Sequence, residues 1–363
     1  MKAKLLILLS VILAILSGAA VAENKFFPLQ TTPTETILPE VMYPSNEKPE
    51  PPLVITKDPN VLKGRGFFYA EGGALYKKEV SVDGILATTS QNVATGSIRL
   101  VDQNEDAVLF IKDLTVPIEG LSGYKNELWL LDKRTGVVKK IFDNVIQEGS
   151  ISSKNGFVVI RTTENKILLI TEEGSLIGEI GIYGVSPIFS LSGDKIAYIK
   201  LKDISVEMGD PDMFQGVAVY DLATRKDALI LKTAPDGNEW MIAGWSADGK
   251  RVYFPSVDST WSVGIDGTGK RQETNKTTGA PRVPMFLSHL LFTDDGTIAF
   301  GEAEGLWAFS IGKDGEFLDA RKVVEGTLGS SSRLDWLERG KSVISHLYGK
   351  TTTTVYRISD LNR

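Results

Sequence analysis

Most of the chain consists of short apolar runs of four to seven residues, separated by turns that are rich in Gly, Asp and Asn. Within the runs, apolar and polar residues alternate, as in Lys195–Lys200 and Gly216–Tyr220. A period of two is typical of β-strands with one buried face. No segment shows a helical stripe beyond a turn or two, so the pattern predicts an all-β protein and excludes an α/β fold with crossover helices.

One element of the pattern recurs: an aromatic residue, a polar turn that contains Gly, and then a strand. Its copies are Phe189–Lys195, Trp245–Lys250, Phe292–Thr297 and Trp336–Lys341, and their turn glycines are 44 to 56 residues apart. Four strands at a period of roughly 40 to 50 residues indicate propeller blades, because stacked blades bury the apolar faces that a single blade exposes. We therefore predict a β-propeller of four-stranded antiparallel blades over residues 61–363. Its length fits six or seven blades, and we favour seven.

The turn Trp245–Lys250 resembles the Trp-Ser-Pro-Asp-Gly-Lys turn of TolB-like, WD-repeat-like propellers, and the turn after Phe189 is a looser copy. The resemblance extends over about the last 180 residues and concerns the fold rather than the function. Proline is missing from every copy, and residues 23–60 cannot form the N-terminal α/β domain of TolB. A Tol-type envelope role is therefore not implied.

The first 22 residues have the pattern of a secretory signal peptide. Lys2 and Lys4 precede the apolar run Leu5–Leu16, and the small residues Ala20-Val21-Ala22 form a cleavage site. We expect cleavage after Ala22 and an extracytoplasmic location, in the periplasm or at the cell surface. No later segment is apolar for long enough to span a bilayer, so we expect no membrane span in the mature chain.

The chain contains no cysteine. This count excludes a lipid anchor at the cleavage site, disulfide bonds, a thiolate zinc site and a cysteine nucleophile. Stability must then come from the apolar core, which a chain of this length can form.

Residues 23–60 are predicted to form a proline-rich linker. Eight of the fifteen prolines lie between Pro28 and Pro59. Since proline fixes φ and donates no backbone hydrogen bond, this stretch should be an extended, semi-rigid tether. Alternatively, Leu53–Thr56 pairs as an edge strand on the following domain, because its Val and Ile favour a strand.

The formal net charge is −6, and it becomes −8 when Lys2 and Lys4 are removed with the signal peptide. Nucleic acids and anionic membranes need clustered positive charge, and the sequence has no basic patch. We therefore expect a protein or glycan partner, no nucleic acid, and a monomer.

Three motifs that could carry chemistry lack a required part. Gly264–Lys270 has P-loop spacing, but Arg271 stands where Ser or Thr should hold magnesium, so it predicts a hairpin turn. Asp102–Asp106 has the spacing of a calcium loop without its Gly or distal Glu, and it predicts an acidic turn. Only two histidines occur, His289 and His346, and no Gly-x-Ser-x-Gly elbow accompanies them. We expect no metal and no cofactor.

Two segments between the repeated strands are unusually long, at residues 112–126 and 202–215. Insertions of this length in a tight repeat are usually functional or disordered. In a propeller, loops between the second and third strands share a face with the connections between blades. The predicted binding site therefore combines carboxylates, adaptable apolar side chains and one inter-blade tryptophan: Glu207, Asp210, Asp212, Met213, Phe214 and Trp240.

Three functions are consistent with these features. The first is an exported binding or scaffold module that recognises a protein or glycan, which we favour because no reactive constellation occurs. The second is a propeller enzyme of the glycoside hydrolase or lyase type, which would need two acids at a defined separation. The third is a structural protein of the envelope whose tether docks elsewhere. Acids that converge in a central funnel would favour the enzyme.

Overall fold

The computed structural model describes residues 51–81, 85–117, 124–202, 214–232, 241–256, 259–275, 287, 289–302, 305–325, 332–338, 341–347 and 353–359. These residues form antiparallel strands and one short helix, α1 (Pro59–Leu62). The predicted all-β class is confirmed. In this part of the chain, no helix is long and apolar enough to cross a membrane.

The strands described form six sheets, and each sheet follows the chain order almost without crossover. The first has the order β1-β4-β3-β2, and its strands are β1 (Val54–Ile55), β2 (Gly66–Glu71), β3 (Ala74–Glu79) and β4 (Gln91–Thr95). The second contains β5 (Ile98–Gln103), β6 (Ala107–Pro117), β7 (Tyr124–Asp132), β8 (Val137–Ile151), β9 (Phe157–Thr162), β10 (Lys166–Thr171) and β11 (Leu176–Ile182) in sequential order.

The remaining four sheets repeat one simple meander. The third contains β12 (Gly184–Phe189), β13 (Lys195–Leu201), β14 (Phe214–Asp221) and β15 (Lys226–Leu231). The fourth contains β16 (Gly244–Trp245), β17 (Arg251–Ser256), β18 (Ser259–Gly264) and β19 (Arg271–Asn275). The fifth contains β20 (Leu290–Phe292), β21 (Ile298–Glu302), β22 (Gly305–Ile311) and β23 (Phe317–Glu325). The sixth contains β24 (Ser332–Glu338), β25 (Ser342–Leu347) and β26 (Thr353–Arg357).

Strand β8 belongs to two successive units. Its first part pairs with β7, and Gly149–Ile151 at its end pair with β9. The seven-stranded sheet is therefore two four-stranded units that share one long strand. Counting it as two units gives seven in the described part of the chain, whereas counting sheets gives six. Seven blades remains a prediction.

Apolar clusters lie between consecutive units, as expected for stacked sheets. The largest described cluster packs the third sheet against the fourth, with Val217 and Ile199 on one side and Phe254 on the other. The last one packs Phe67 and Tyr69 of the first sheet against Ile344 of the sixth. The first and last units are thus neighbours, and the predicted β-propeller fold is confirmed.

The recurring Gly-containing turn is a structural device of the hairpins. Ser246 Oγ accepts hydrogen bonds from the amides of Lys250 (3.1 Å) and Arg251 (2.9 Å), and it donates to Asp248 Oδ1 (2.7 Å). Gly249 has a φ of +66°, which favours glycine at the turn. The same hydroxyl-to-carboxylate pair recurs at Thr293 and Asp295 (2.6 Å). The repeated turn residues therefore stabilise their own hairpins.

The segment before the first predicted blade joins the first sheet. Val54 pairs with Thr95 and Ile55 with Ala94, so the alternative in which Leu53–Thr56 forms an edge strand agrees with the structure. The buried Lys77 Nζ donates to the carbonyl of Asn60 (3.3 Å), which lies in α1. Folded chain therefore begins before residue 61. The signal peptide and the linker up to residue 50 lie outside the described residues and stay predictions.

Candidate functional site: the central cavity

A cavity of about 300 Å³ lies where the first strands of six units converge. Its wall is built from short segments of these strands or of the residues directly before them: Val101–Asp102, Glu148–Ser150, Ser186–Ile188, Met241–Ala243, His289–Leu291 and Leu334–Asp335. First strands surround the central channel of a propeller. The cavity is therefore the axial pocket of this fold, and its volume is at the lower end of the range of small-molecule sites.

Glu148 is a carboxylate of the cavity wall that both an arginine and a backbone amide hold in place. Arg161 Nη1 donates to Glu148 Oε1 (2.6 Å), and the Ser186 amide donates to Glu148 Oε2 (2.7 Å). The Arg161 side chain is 8% exposed, and its Nε donates to Asn165 Oδ1 (3.0 Å). Since Glu148 lies at the end of β8 and Arg161 on the paired strand β9, the ion pair lies within one unit, whereas the bond from Ser186 on β12 links this unit to the next.

Ser186 extends the same network to the next unit. Its Oγ accepts a hydrogen bond from the Ile242 amide (3.0 Å), which lies just before β16. Ser186 has a φ of +54°, a left-handed conformation that is uncommon for a residue with a side chain. The two bonds hold this backbone in place, and the arrangement is consistent with a local strain that the surrounding structure stabilises.

Asp102 is fixed by backbone donors. The Ile151 amide donates to Asp102 Oδ2 (2.8 Å), and the Gln103 amide donates to Oδ1 (2.9 Å). Near the C-terminal end of the chain, on β24, Asp335 Oδ2 accepts a hydrogen bond from Gln103 Nε2 (3.1 Å). His289, directly before β20, also lines the cavity. Three acidic residues and one histidine therefore line one pocket, and none of its described lining residues is Lys or Arg.

Most of the site residues predicted from the sequence lie outside the described part of the chain: Glu207, Asp210, Asp212, Met213 and Trp240. Phe214 is described, and the expectation that it lies on an exposed loop is wrong. It begins β14, is 4% exposed and packs in the core cluster with Val217 and Trp245. Met241, the residue after Trp240, lines the cavity.

Two other sequence interpretations gain a structural account. Asp102 ends up on β5, while Asn104 Oδ1 accepts from the amides of Asp106 (2.9 Å) and Ala107 (2.8 Å) in the turn. The predicted acidic turn is confirmed for residues 104–106, whereas Asp102 and Gln103 belong to β5. The Gly264–Lys270 string is the turn between β18 and β19, as predicted. Glu148, Ser186 and Asp335 were missed, although each is a polar residue within the first strand of a unit.

A second crevice, of about 840 Å³, lies among the hairpin turns of the fourth and fifth sheets. The carboxylates of Asp248, Asp266 and Asp295 in its lining accept hydrogen bonds from backbone amides of their own turns. Burial alone would raise the pKa of Asp248, but hydrogen bonds from Ser246 and Lys250 and the Lys250 charge hold this pKa below its usual value. Hydrogen bonds from Thr268 lower the pKa of Asp266. Among the residues described, no group of three His, Asp or Glu side chains could hold a metal ion.

Two solved structures share this architecture. The tricorn protease matches 87% of this chain with 16% identity and a TM-score of 0.53, and the match spans only 35% of the tricorn chain. A protein from Bacteroides uniformis, provisionally named a 6-phosphogluconolactonase, matches 80% of this chain and 90% of its own, with 13% identity and a TM-score of 0.52. The likeness is one of fold. No protein-family model and no curated protein matches the sequence.

Proposed function

We propose that this chain is an exported, tethered binding module whose central cavity recognises a polyhydroxylated ligand, namely a neutral glycan. The observation that carries the proposal is the fixation of the cavity carboxylates: Asp102 accepts two backbone amides, and Glu148 accepts one amide and Arg161. Carboxylates held in this way are pre-organised hydrogen-bond acceptors, which suits hydroxyl donors and reduces the entropy lost on binding.

The charge of the wall separates ligand classes. Asp102, Glu148 and Asp335 line the cavity, whereas Lys and Arg do not occur among the lining residues that the structure describes. A phosphorylated sugar, which the name of the Bacteroides protein indicates for that protein, would meet like charges in this pocket. A neutral glycan avoids this repulsion, and the partly exposed Met241 offers an apolar surface for its carbon faces.

The test is calorimetric binding of neutral oligosaccharides and of their phosphorylated forms to the mature chain. Asp335→Asn should weaken binding of the neutral sugar at least tenfold, because the variant replaces a carboxylate acceptor of the wall. Asp248→Asn, in the outer crevice, is the matched control and should leave binding unchanged. Equal or tighter binding of the phosphorylated sugar would contradict the proposal.

The convergence of three carboxylates and His289 at one cavity favours a second candidate, a carboxylate-dependent glycosidase or lyase. In that case Asp335→Asn would abolish turnover of an oligosaccharide while its binding persisted. The binding module predicts the opposite result, with lost affinity and no turnover by the unmodified chain.

A further inference from the structure

One junction of the propeller differs from all others in connectivity. Successive units are joined by the chain itself, whereas the first sheet and the sixth are joined only by contacts across space. Strand β1 pairs with β4 inside the first sheet, and β26 pairs with β25 inside the sixth. A chain connection keeps two neighbouring units at high effective concentration, so the junction without one opens most readily.

Gln103 is the polar clasp of this junction. Its Nε2 donates to the Phe68 carbonyl (2.9 Å), and its Oε1 accepts from the Phe68 amide (3.2 Å), so the side chain pairs with β2 like a strand residue. Nε2 also donates to Asp335 Oδ2 (3.1 Å) on β24. One carboxamide on β5 thus bonds to both the first and the sixth sheets and supplements the apolar contact of Phe67 and Tyr69 with Ile344.

This clasp borders the central cavity, because Asp335 and the neighbouring Asp102 both line it. We infer that the junction between β2 and β24 is a side entrance to the cavity and that the bond from Gln103 to Asp335 keeps it closed. The net contribution of a single such bond to stability is small, because opening exchanges it for bonds to water. Local opening with a free energy well below that of global unfolding is therefore accessible.

Hydrogen exchange followed by mass spectrometry tests the clasp. In Gln103→Ala, amides of β2 and β24 should exchange on the order of tenfold faster than in the unmodified chain, while β13 and β14 stay unchanged. Asn155→Ala is the matched control, since Asn155 Nδ2 donates to the Gly193 carbonyl (2.8 Å) between two units that the chain connects. Gln103→Met, which keeps the side-chain volume, replaces Gln103→Ala if the latter does not fold.

Thiol labelling tests the entrance itself. Because the chain has no cysteine, Ser150→Cys places a single thiol in the cavity wall, where Ser150 is 8% exposed. Its reaction with a maleimide should be on the order of tenfold faster when combined with Gln103→Ala, and unchanged when combined with Asn155→Ala.

Faster exchange in every sheet would show general destabilisation and overturn the inference. Unchanged labelling of Cys at position 150 would show that the junction is not an entrance, and it would overturn the inference as well. The functional meaning of the entrance rests on the proposed function, but neither measurement uses a ligand. A chain that opens at this junction and binds no glycan would therefore refute the proposed function alone.

Discussion

Two polar regions of this propeller use the same kinds of side chain for different purposes. At the outer hairpin turns, Ser246 and Asp248 bond within one hairpin, and the pattern recurs from unit to unit. At the cavity wall, Asp102, Glu148 and Ser186 each accept a hydrogen bond from a backbone amide of the following unit, and the residue type at this place changes from unit to unit. Repeated polar residues therefore build the blade, whereas unrepeated polar residues on first strands build the site.

The largest effect is expected at the cavity wall. Arg161→Ala removes the partner of Glu148, whose side chain is only 31% exposed, and should lower the free energy of unfolding by about 2–3 kcal/mol, somewhat less than for a fully buried pair. Chemical denaturation measures this change. Arg99→Ala is the control, because the Arg99–Asp113 pair is more exposed and should cost less than about 1 kcal/mol. Equal losses of unfolding free energy in Arg161→Ala and Arg99→Ala would contradict the expected difference between the cavity wall and the surface.

A smaller effect is expected at the outer turn. Ser246→Ala leaves the amides of Lys250 and Arg251 without their hydroxyl acceptor and should cost about 1–2 kcal/mol in the same assay. It should not change ligand binding in the cavity. Ser310→Ala, at an exposed strand position, should stay within about 0.5 kcal/mol of the unmodified chain. A change in ligand affinity in Ser246→Ala would show that the two regions are coupled.

The smallest effect is expected from the pH dependence of a turn carboxylate. Burial alone would raise the pKa of Asp194, but hydrogen bonds from Lys195, Ser192 and Ser190 lower it from 3.8 to about 2. A lowered folded-state pKa stabilises the protein fully above the unfolded-state value, and this contribution is lost as the pH falls from about 4 to about 2. Solvent screening keeps it small, because the side chain is 51% exposed.

Asp194→Asn should therefore flatten the loss of stability between pH 4 and pH 2 slightly, as followed by thermal unfolding over a pH series. Acid profiles of the two proteins that coincide would mean that the turn carboxylate gains nothing from its hydrogen bonds in the folded state.

The sequence alone determined the class of fold. Period-two alternation and the recurring aromatic and Gly-containing turn depend on neighbours a few residues apart, and such local chemistry is visible along the chain. The same local chemistry explains why the Gly264–Lys270 string was correctly predicted as a hairpin turn. It also supported an edge strand at Leu53–Thr56, although only as an alternative, because local preference does not reveal whether a partner strand is available.

Only the tertiary structure decided the composition of the site. Asp102, Glu148 and Asp335 are far apart in sequence and meet because the first strands of successive units surround one axis. Phe214 shows the converse, since an apolar residue beside a long polar insertion packs in the core once β14 is formed. Strand pattern fixes which face of a sheet is apolar, whereas the stacking of units decides which polar side chains share a pocket.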